Sequence, residues 1–564
     1  MAVRQVKTLV DVLLEQGTVS RDQLQQAQAE SSRSGVPLKR VILQRGLLTE
    51  RDLTSAVAGQ SGVTSIDLST YLIKPEVIQL VPEPVARKHV LIPVFRIGQS
   101  LTVAMEDPLS FLAIDELRHK TKCEIKTVVA TETQIRQAID QYYGASGTIA
   151  EVAKVIQQAN LPHRDEEAAQ EAPVIRLVNL VIMQAVKERA SDIHIEPGDG
   201  VLRTRFRIDG MLREVAGPPA HLHSAAVSRI KVLAQLDIAE KRKPQDGRFR
   251  LSMESKEIDL RVSVIPTQYG EKVVLRLLDS AQALLSLEQL GLDAGMRSQV
   301  ERLIRAPHGI ILVTGPTGSG KTTTLYAGLH LINAAERNII TIEDPVEYRL
   351  AGVNQVQVNP KAELTFASAL RAFLRQDPDV IMVGEIRDRE TAEIGIQAAL
   401  TGHLVLSTLH TNDAASALTR LVDMGVEPFL IASSVIGILA QRLVRVVCHK
   451  CQQSYQPDAN IAAEFQLESG VRLIRGTGCS GCHQTGYRGR IGIFEVLTMT
   501  DSIKNLVVAK AAAHAIRSAA GSPSAASAVG VGAMAMRSLR EDGLAKVRGG
   551  LTTIEEVMRV TQLG

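Results

Sequence analysis

The stretch Gly315-Pro316-Thr317-Gly318-Ser319-Gly320-Lys321-Thr322-Thr323 limits what this chain can fold into more than any other, because it follows the apolar run Ile310 to Val313. Such a run reads as a buried strand, and the spacing G-x(4)-G-K-T after it reads as a tight turn that opens a helix. Three glycines let the backbone curl until successive N–H groups point at one oxyanion, and the new helix adds the positive end of its dipole. The stretch is therefore an expected phosphate cradle. In it Lys321 reaches the β- and γ-phosphates of a nucleoside triphosphate, and Thr322 sets its hydroxyl on the Mg²⁺ that bridges them. The competing reading is a glycine turn that happens to precede a helix, and the strand-turn-helix context weighs against it.

A chain of 564 residues is too long for one core and implies three or four domains. Its formal charge of +3 is too small to require nucleic acid as a partner. No apolar run is long enough to cross a bilayer, since the best candidate, Phe429 to Ala440, is interrupted by Ser433 and Ser434. Arg4 and Lys7 are not followed by the apolar core and cleavage site of a signal peptide, so a cytoplasmic protein is expected. Of five cysteines, four form two C-x-x-C pairs, Cys448 with Cys451 and Cys479 with Cys482. That spacing suits a closed, structural zinc site of four thiolates; a redox dithiol or a pair of disulfides are the alternatives. Cys123 reads as an ordinary thiol.

The first sixty residues repeat themselves. Leu9, Leu14, Gly17, Val19, Ser20, Leu24 and Ala27 recur at one offset as Leu38, Leu43, Gly46, Leu48, Thr49, Leu53 and Ala56. Each unit reads as a helix ended by glycine and a Ser or Thr cap opening a second helix, hence a duplicated helical hairpin. Residues 66–141 then alternate helix with short strands, and an N-terminal module is expected over 1–144. A charged, alanine-rich linker is expected over 145–172. An arginine-rich α/β domain follows over 173–285, with strands at 201–208, 247–252, 257–264 and 272–278 making an antiparallel sheet. The nucleotide domain spans 286–564, including the cysteine knuckle 448–482 and C-terminal helices. Its strands 338–342, 380–383 and 404–407 alternate with helices, which predicts a parallel sheet with phosphates at the carboxyl ends of its strands.

Splitting a phosphoanhydride with water needs a metal clamp, a group that orients the water and positive charge on the departing phosphates. Glu385 closes an apolar strand predicted to lie beside the cradle, where it can polarise water; the plain alternative is a pair with Arg387. Glu343, Asp344 and Glu347 end a neighbouring strand and can hold Mg²⁺ or its waters, unless they are a solvated turn. His403 and His410 flank a further strand, and His410 lies in the polar run T-L-H-T-N-D suited to sensing a γ-phosphate. Gly384 stands where many nucleotide hydrolases carry aspartate, so metal ligation leans on Thr322, Asp344 and Glu347. No arginine precedes Glu385 at a natural finger position. Arg207, Arg213 and Arg276 of the arginine-rich domain are the candidates, supplied by the same or a neighbouring subunit, against a reading as ordinary strand arginines.

Together these residues resemble the secretion ATPases of the type II secretion and type IV pilus assembly family. The matching runs are S-D-I-H-I-E-P from Ser191, R-F-R-I-D-G from Arg205, P-Q-D-G-R from Pro244, I-E-D-P-V-E from Ile342 and R-Q-D-P-D-V-I-M-V-G-E-I-R-D from Arg375. They continue with T-G-H-L-V-L-S-T-L-H-T-N-D-A from Thr401, the four cysteines and T-G-Y-R-G-R-I-G-I-F-E-V-L from Thr485. The resemblance implies a multidomain α/β protein with a RecA-like P-loop domain, a preceding PAS-like α/β domain and a tetracysteine zinc knuckle. It implies ATP, Mg²⁺ and Zn²⁺, and a homohexamer peripheral to the cytoplasmic face of the inner membrane. There, turnover would drive a polytopic platform protein and its assembly complex to add pilin subunits, with pilus assembly favoured over secretion. Glycine before Glu385 is expected in that family; Glu343, Asp344 and Glu347 fall in its aspartate box, and His403 and His410 in its histidine box.

The duplicated hairpins resemble a module that binds cyclic di-GMP in some members. Binding members carry arginine-leucine-glycine at each repeat, where this chain has Thr8-Leu9-Val10 and Pro37-Leu38-Lys39, so a docking module is favoured over a sensor. A second departure is the Ala, Ser and Gly-rich tract 511–536. A messenger-responsive binding module and a DNA-moving relative stand as alternative functions; the knuckle has few aromatics and the balanced charge offers no basic stripe for the latter.

Overall fold

Ser20 and Thr49, one offset apart in the repeat, each accept from the third backbone N–H of the helix they open, and that third residue's side chain reaches back to the cap. The helices Leu9–Glu15, Arg21–Ser34, Leu38–Gln44 and Glu50–Ser61 are the expected duplicated hairpins, the longer two ending at left-handed Gly35 and Gly62. The structure is a computed structural model that describes residues 8–15, 17–143, 172–253, 256–279, 285–465, 467–468, 470–522 and 535–561. The expected linker, apart from Ala172, and residues 523–534 of the small-residue tract lie outside that set. Contacts divide the chain into two units, Met1–Ala281 and Gln282–Gly564.

In the first unit the hairpins bury Leu13, Leu24, Ala27, Ile42 and Ala56 in a core of their own. Beyond them β1 (Leu91–Ile97), β2 (Ser100–Met105) and β3 (Glu124–Val129) form a small mixed sheet, β1 antiparallel and β3 parallel to β2. A six-stranded antiparallel sheet follows, made of β4 (Asp192–Pro197), β5 (Leu202–Ile208), β6 (Met211–Val215), β7 (Gln245–Met253), β8 (Lys256–Thr267) and β9 (Gly270–Asp279) in the order β6-β5-β4-β9-β8-β7. Alternation sets its two faces. Ile193, Ile195, Phe206, Leu260, Val262 and Leu275 bury against the helices Ala172–Lys187 and His223–Leu233, while Asp192, His194 and Glu196 take the other face with Arg203, Arg205 and Arg207 directly opposite them.

The second unit carries a seven-stranded sheet in the order β12-β11-β13-β14-β10-β15-β18. Its strands are β10 (Gly309–Thr314), β11 (Ile339–Glu343), β12 (Asn354–Gln357), β13 (Val380–Val383), β14 (Leu404–Leu409), β15 (Val435–Val447) and β18 (Tyr487–Thr498). Six run parallel and β18 is antiparallel at one edge. Every residue of β10, β11, β13 and β14 is buried, as strands covered by helices on both faces require. Between β15 and β18 the chain makes a knuckle with the two-stranded ribbon β16 (Gln452–Tyr455) and β17 (Leu473–Gly476). The apolar stretch Phe429 to Ala440 is split, its first half in the helix Pro428–Ser434 and the rest opening β15. Among the described residues no helix is long and apolar enough to cross a membrane.

Candidate active site

Four parallel strands, in the order β11-β13-β14-β10, deliver their carboxyl ends side by side. β10 ends at Thr314 and feeds the cradle; β11 ends at Glu343, β13 leads to Glu385, and β14 leads to His410. The strand carrying Glu385 is thus not next to the cradle strand, as the sequence suggested: β14 lies between them. Its loop carries His410, whose Nε2 is 3.3 Å from Glu385 Oε2.

The cradle has the geometry its glycines allow. Gly315, Gly318 and Gly320 have φ of 151°, 79° and 88°, and the helix Lys321–Ile332 starts directly after Gly320. A Cβ on Gly315 would stand 2.5 Å from the Gln441 carbonyl and 2.6 Å from Ser319 Oγ, so strand β15 packs against the turn with no space for a side chain. Lys321 Nζ donates to the carbonyls of Gly315 (2.8 Å) and Pro316 (3.2 Å), folded over its own loop. Burial lowers the Lys321 pKa to about 8, with Glu385 raising it and Arg442 lowering it further. The other cradle residues Pro316, Thr317, Thr322 and Thr323 complete the turn and the helix's first residues.

Glu385 is largely covered, its side chain 18% exposed. Arg387 donates to Oε1 at 2.5 Å and also approaches Asp344 at 4.0 Å. Burial pushes the Glu385 carboxyl up, but the hydrogen bond and charge of Arg387, followed by those of His410, outweigh it and hold the group below the usual carboxylate range. Glu385 and Arg387 are paired, therefore, yet the pair faces the strand ends and His410 instead of standing apart.

The acidic cluster separates. Glu343 is 2% exposed and accepts from Tyr326, from Thr341 (2.6 Å) and from Gln355 (3.1 Å), with Tyr348 stacked edge-on against Tyr326. Asp344, joined to Pro345 by a cis peptide bond, has an exposed carboxylate, and Glu347 follows three residues on. Oxygen donors at Thr322, Asp344 and Glu347 match the hard-ligand preference of Mg²⁺, whereas the enclosed carboxylate of Glu343 has its oxygens engaged by protein donors. His403 bonds within its own turn, to Ala398 O at 2.8 Å.

The loop after β14 is tied down in a way the sequence reading missed. Thr314 Oγ1 bonds to Thr411 Oγ1 (2.7 Å) and accepts from Thr411 N (2.9 Å), and Arg442 of β15 donates to Asn412 O (2.9 Å) and Oδ1 (3.2 Å). The signal was present: Gln441-Arg442 is a polar pair that breaks the apolar run V-I-G-I-L-A-Q-R-L-V in the middle of the strand.

The candidate arginines belong to the first unit. Arg207 and Arg276 converge on Asp192, at 3.7 and 3.0 Å. Arg213 pairs in register with Phe206 and so projects from the opposite face of the sheet. Arg261, another arginine of this domain and not one of the finger candidates, lies directly opposite Arg276 on the charged face.

The four cysteines come together. Their Sγ atoms all lie within 4.8 Å of one another, with neighbouring pairs at 3.7 to 3.9 Å. A disulfide needs about 2.0 Å, while four thiolates at about 2.3 Å from one zinc stand about 3.8 Å apart. The cluster therefore fits a tetrahedral metal and not a disulfide pair. Cys123 is buried and free, far along the sequence from them.

A glycine cradle with its lysine, a strand-end glutamate and a doubly covered parallel sheet define an ATP-hydrolysing P-loop enzyme. Within that class the chain belongs to the Type II/IV secretion system protein family, whose model matches residues 167–559. The MshEN domain model matches residues 61–149, after the duplicated hairpins. The chain is 46% identical over 568 residues to the type IV pilus assembly ATPase PilB of Myxococcus xanthus, covering 98% of each. It is 47% identical over 473 residues to the type II secretion system ATPase E of Vibrio cholerae, covering 81% of this chain and 91% of that one. The solved ATPase DotB of Yersinia pseudotuberculosis shares the fold, with a TM-score of 0.52 at 19% identity over 72% of this chain and 97% of its own.

Proposed function

We propose that this chain is a cytoplasmic ATPase, acting as a homohexamer, whose turnover powers pilin or pseudopilin assembly, with pilus assembly favoured. The observation that carries this reading is identity over nearly the full length of both chains to a pilus assembly ATPase. In the proposed site the amides of Gly315 to Thr323 and the Lys321 ammonium hold the triphosphate. Thr322, Asp344 and Glu347 would hold Mg²⁺, which when bound neutralises charge on the β- and γ-phosphates. Glu385, ionised at neutral pH and held by Arg387 and His410, orients the attacking water, and His410 follows the state of the γ-phosphate. Glu343 supports this set from within the protein, through Tyr326 and Thr341. Arg207, Arg213 and Arg276 remain the finger candidates, and Arg207 and Arg276 share one charged face. Cys448, Cys451, Cys479 and Cys482 would hold a structural Zn²⁺.

We assign residues 1–144 to docking, 173–285 to supplying arginines and 286–564 to catalysis. The partner is an inner-membrane platform protein with its assembly complex, which would place the ring at the membrane periphery. Neither a cyclic di-GMP switch nor DNA translocation is favoured by relatives that carry ATPase names over most of the chain. Release of inorganic phosphate from ATP by the purified chain with Mg²⁺, and pilus loss with secretion intact on deletion of its gene, are the expected results. No phosphate release, alone or with membranes containing the platform protein, would overturn the proposal.

A further inference from the structure

We infer that Arg442 is a positioning residue for ATP hydrolysis: it fastens the loop headed by His410 to the strand that lies behind the phosphate cradle. The inference rests on the reading that His410 and Glu385 act together in turnover. Arg442 lies in the middle of β15, only 8% exposed. Burying a guanidinium is costly, and among the described residues no carboxylate forms an ion pair with it; Asp413 and Glu495 favour its charge from further away while burial opposes it. Its fork is spent on neutral acceptors instead. Nη2 donates to both Asn412 O and Asn412 Oδ1, and Nη1 to Gln441 O at 3.2 Å. The loop is met by Nη2 alone, and the same rigid plane is pinned through Nη1 on Gln441 O of its own strand, so the loop contact is fixed in orientation as well as distance.

The surroundings explain why that matters. Arg442 Nη1 would stand 3.2 Å from a Cβ on Gly315, so the guanidinium packs directly against the first residue of the cradle. Its neighbour Gln441 accepts from Thr324 Oγ1 at 2.6 Å, which ties the helix after the cradle to the same strand. Thr314, the last residue before the cradle, bonds to Thr411. The loop after β14 is thus held at Thr411 from the cradle strand and at Asn412 from β15, and His410, immediately before these anchors, meets Glu385 at 3.3 Å. A displacement of about 1 Å in such a contact costs about a hundredfold in rate.

The test is a double-mutant cycle on the full chain, reading kcat and KM for ATP together with thermal unfolding. Arg442→Lys keeps the charge and loses the fork; it is expected to unfold near the parent temperature, to lower kcat about tenfold and to leave KM within about threefold. His410→Ala should lower kcat as well, and the double variant should be no slower than the slower single, because both changes act through one contact. Parental kcat in Arg442→Lys, an effect on KM alone, or losses that multiply in the double variant would overturn the inference while leaving the roles of Glu385 and His410 standing. Parental kcat in His410→Ala would instead remove the underlying reading and this inference with it. If Arg442→Lys does not fold, Asn412→Ala deletes one acceptor and leaves the guanidinium in place: a kcat loss that does not multiply with His410→Ala supports the inference, and a parental kcat overturns it.

Discussion

Glu385 has its two oxygens engaged by different side chains, Arg387 on one and His410 on the other, and Arg387 above all holds it below the usual carboxylate range despite its burial. An ionised carboxylate at a strand end can orient water; an amide of the same shape accepts on one oxygen only and carries no charge. Glu385→Gln is therefore expected to lower kcat by about 10²- to 10⁴-fold while ATP affinity stays within about threefold, checked by phosphate release and by binding of a fluorescent ATP analogue. Turnover at the parental rate would remove Glu385 from its role. Residues of this kind were legible because strand, turn and motif are local. Glu343 was not: its donors Tyr326 and Gln355 lie 17 and 12 residues away in sequence, and only the fold shows that they enclose it.

Elements with a local signal appear where the sequence placed them. Residues 380–383 form a buried strand as expected, and the expected strand at 247–252 lies within β7, Gln245–Met253. β15 was hidden, because an apolar run passing from the helix Pro428–Ser434 into a strand has no single period. The knuckle between β15 and β18 was legible from its cysteines alone. Cys479→Ser should lower bound zinc by about one equivalent per chain and reduce the unfolding temperature, measured by metal analysis and calorimetry; equal zinc in both proteins would refute the site. The helix Ile554–Thr561 docks on β15 through Glu556, which is buried and accepts from Arg445 and Arg559, while Arg445 stacks on Tyr487. Burial pushes the Glu556 carboxyl up, but bonds from Arg559 and then Arg445 outweigh it and take it down to about 2. A carboxyl depressed in the folded state lends stability above its unfolded value of about 4.3 and loses it as pH falls toward 2. The parent should thus lose on the order of 2 kcal/mol between pH 5 and pH 2 that Glu556→Gln does not lose over the same range, read by chemical unfolding.

At the scale of the whole molecule the cradle and its candidate arginines belong to different units, and the proposal that those arginines serve the phosphates is testable between subunits. Asp192, buried between Arg207 and Arg276, holds both guanidiniums on one face of the sheet, and Arg261 stands opposite Arg276 there. These guanidiniums put positive charge on one face of the sheet, where an anion can be met. If that anion is the triphosphate of a neighbouring subunit, two inactive variants can repair each other. Lys321→Ala keeps Arg276 and loses the cradle's lysine; Arg276→Ala does the reverse. In rings reassembled from equal amounts, about one site in four joins an intact cradle to an intact arginine, so phosphate release should return to about a quarter of the parental rate, with either variant alone near background. Reassembled mixtures that stay as slow as the separate variants would overturn the supply of Arg276 from one subunit to the cradle of the next.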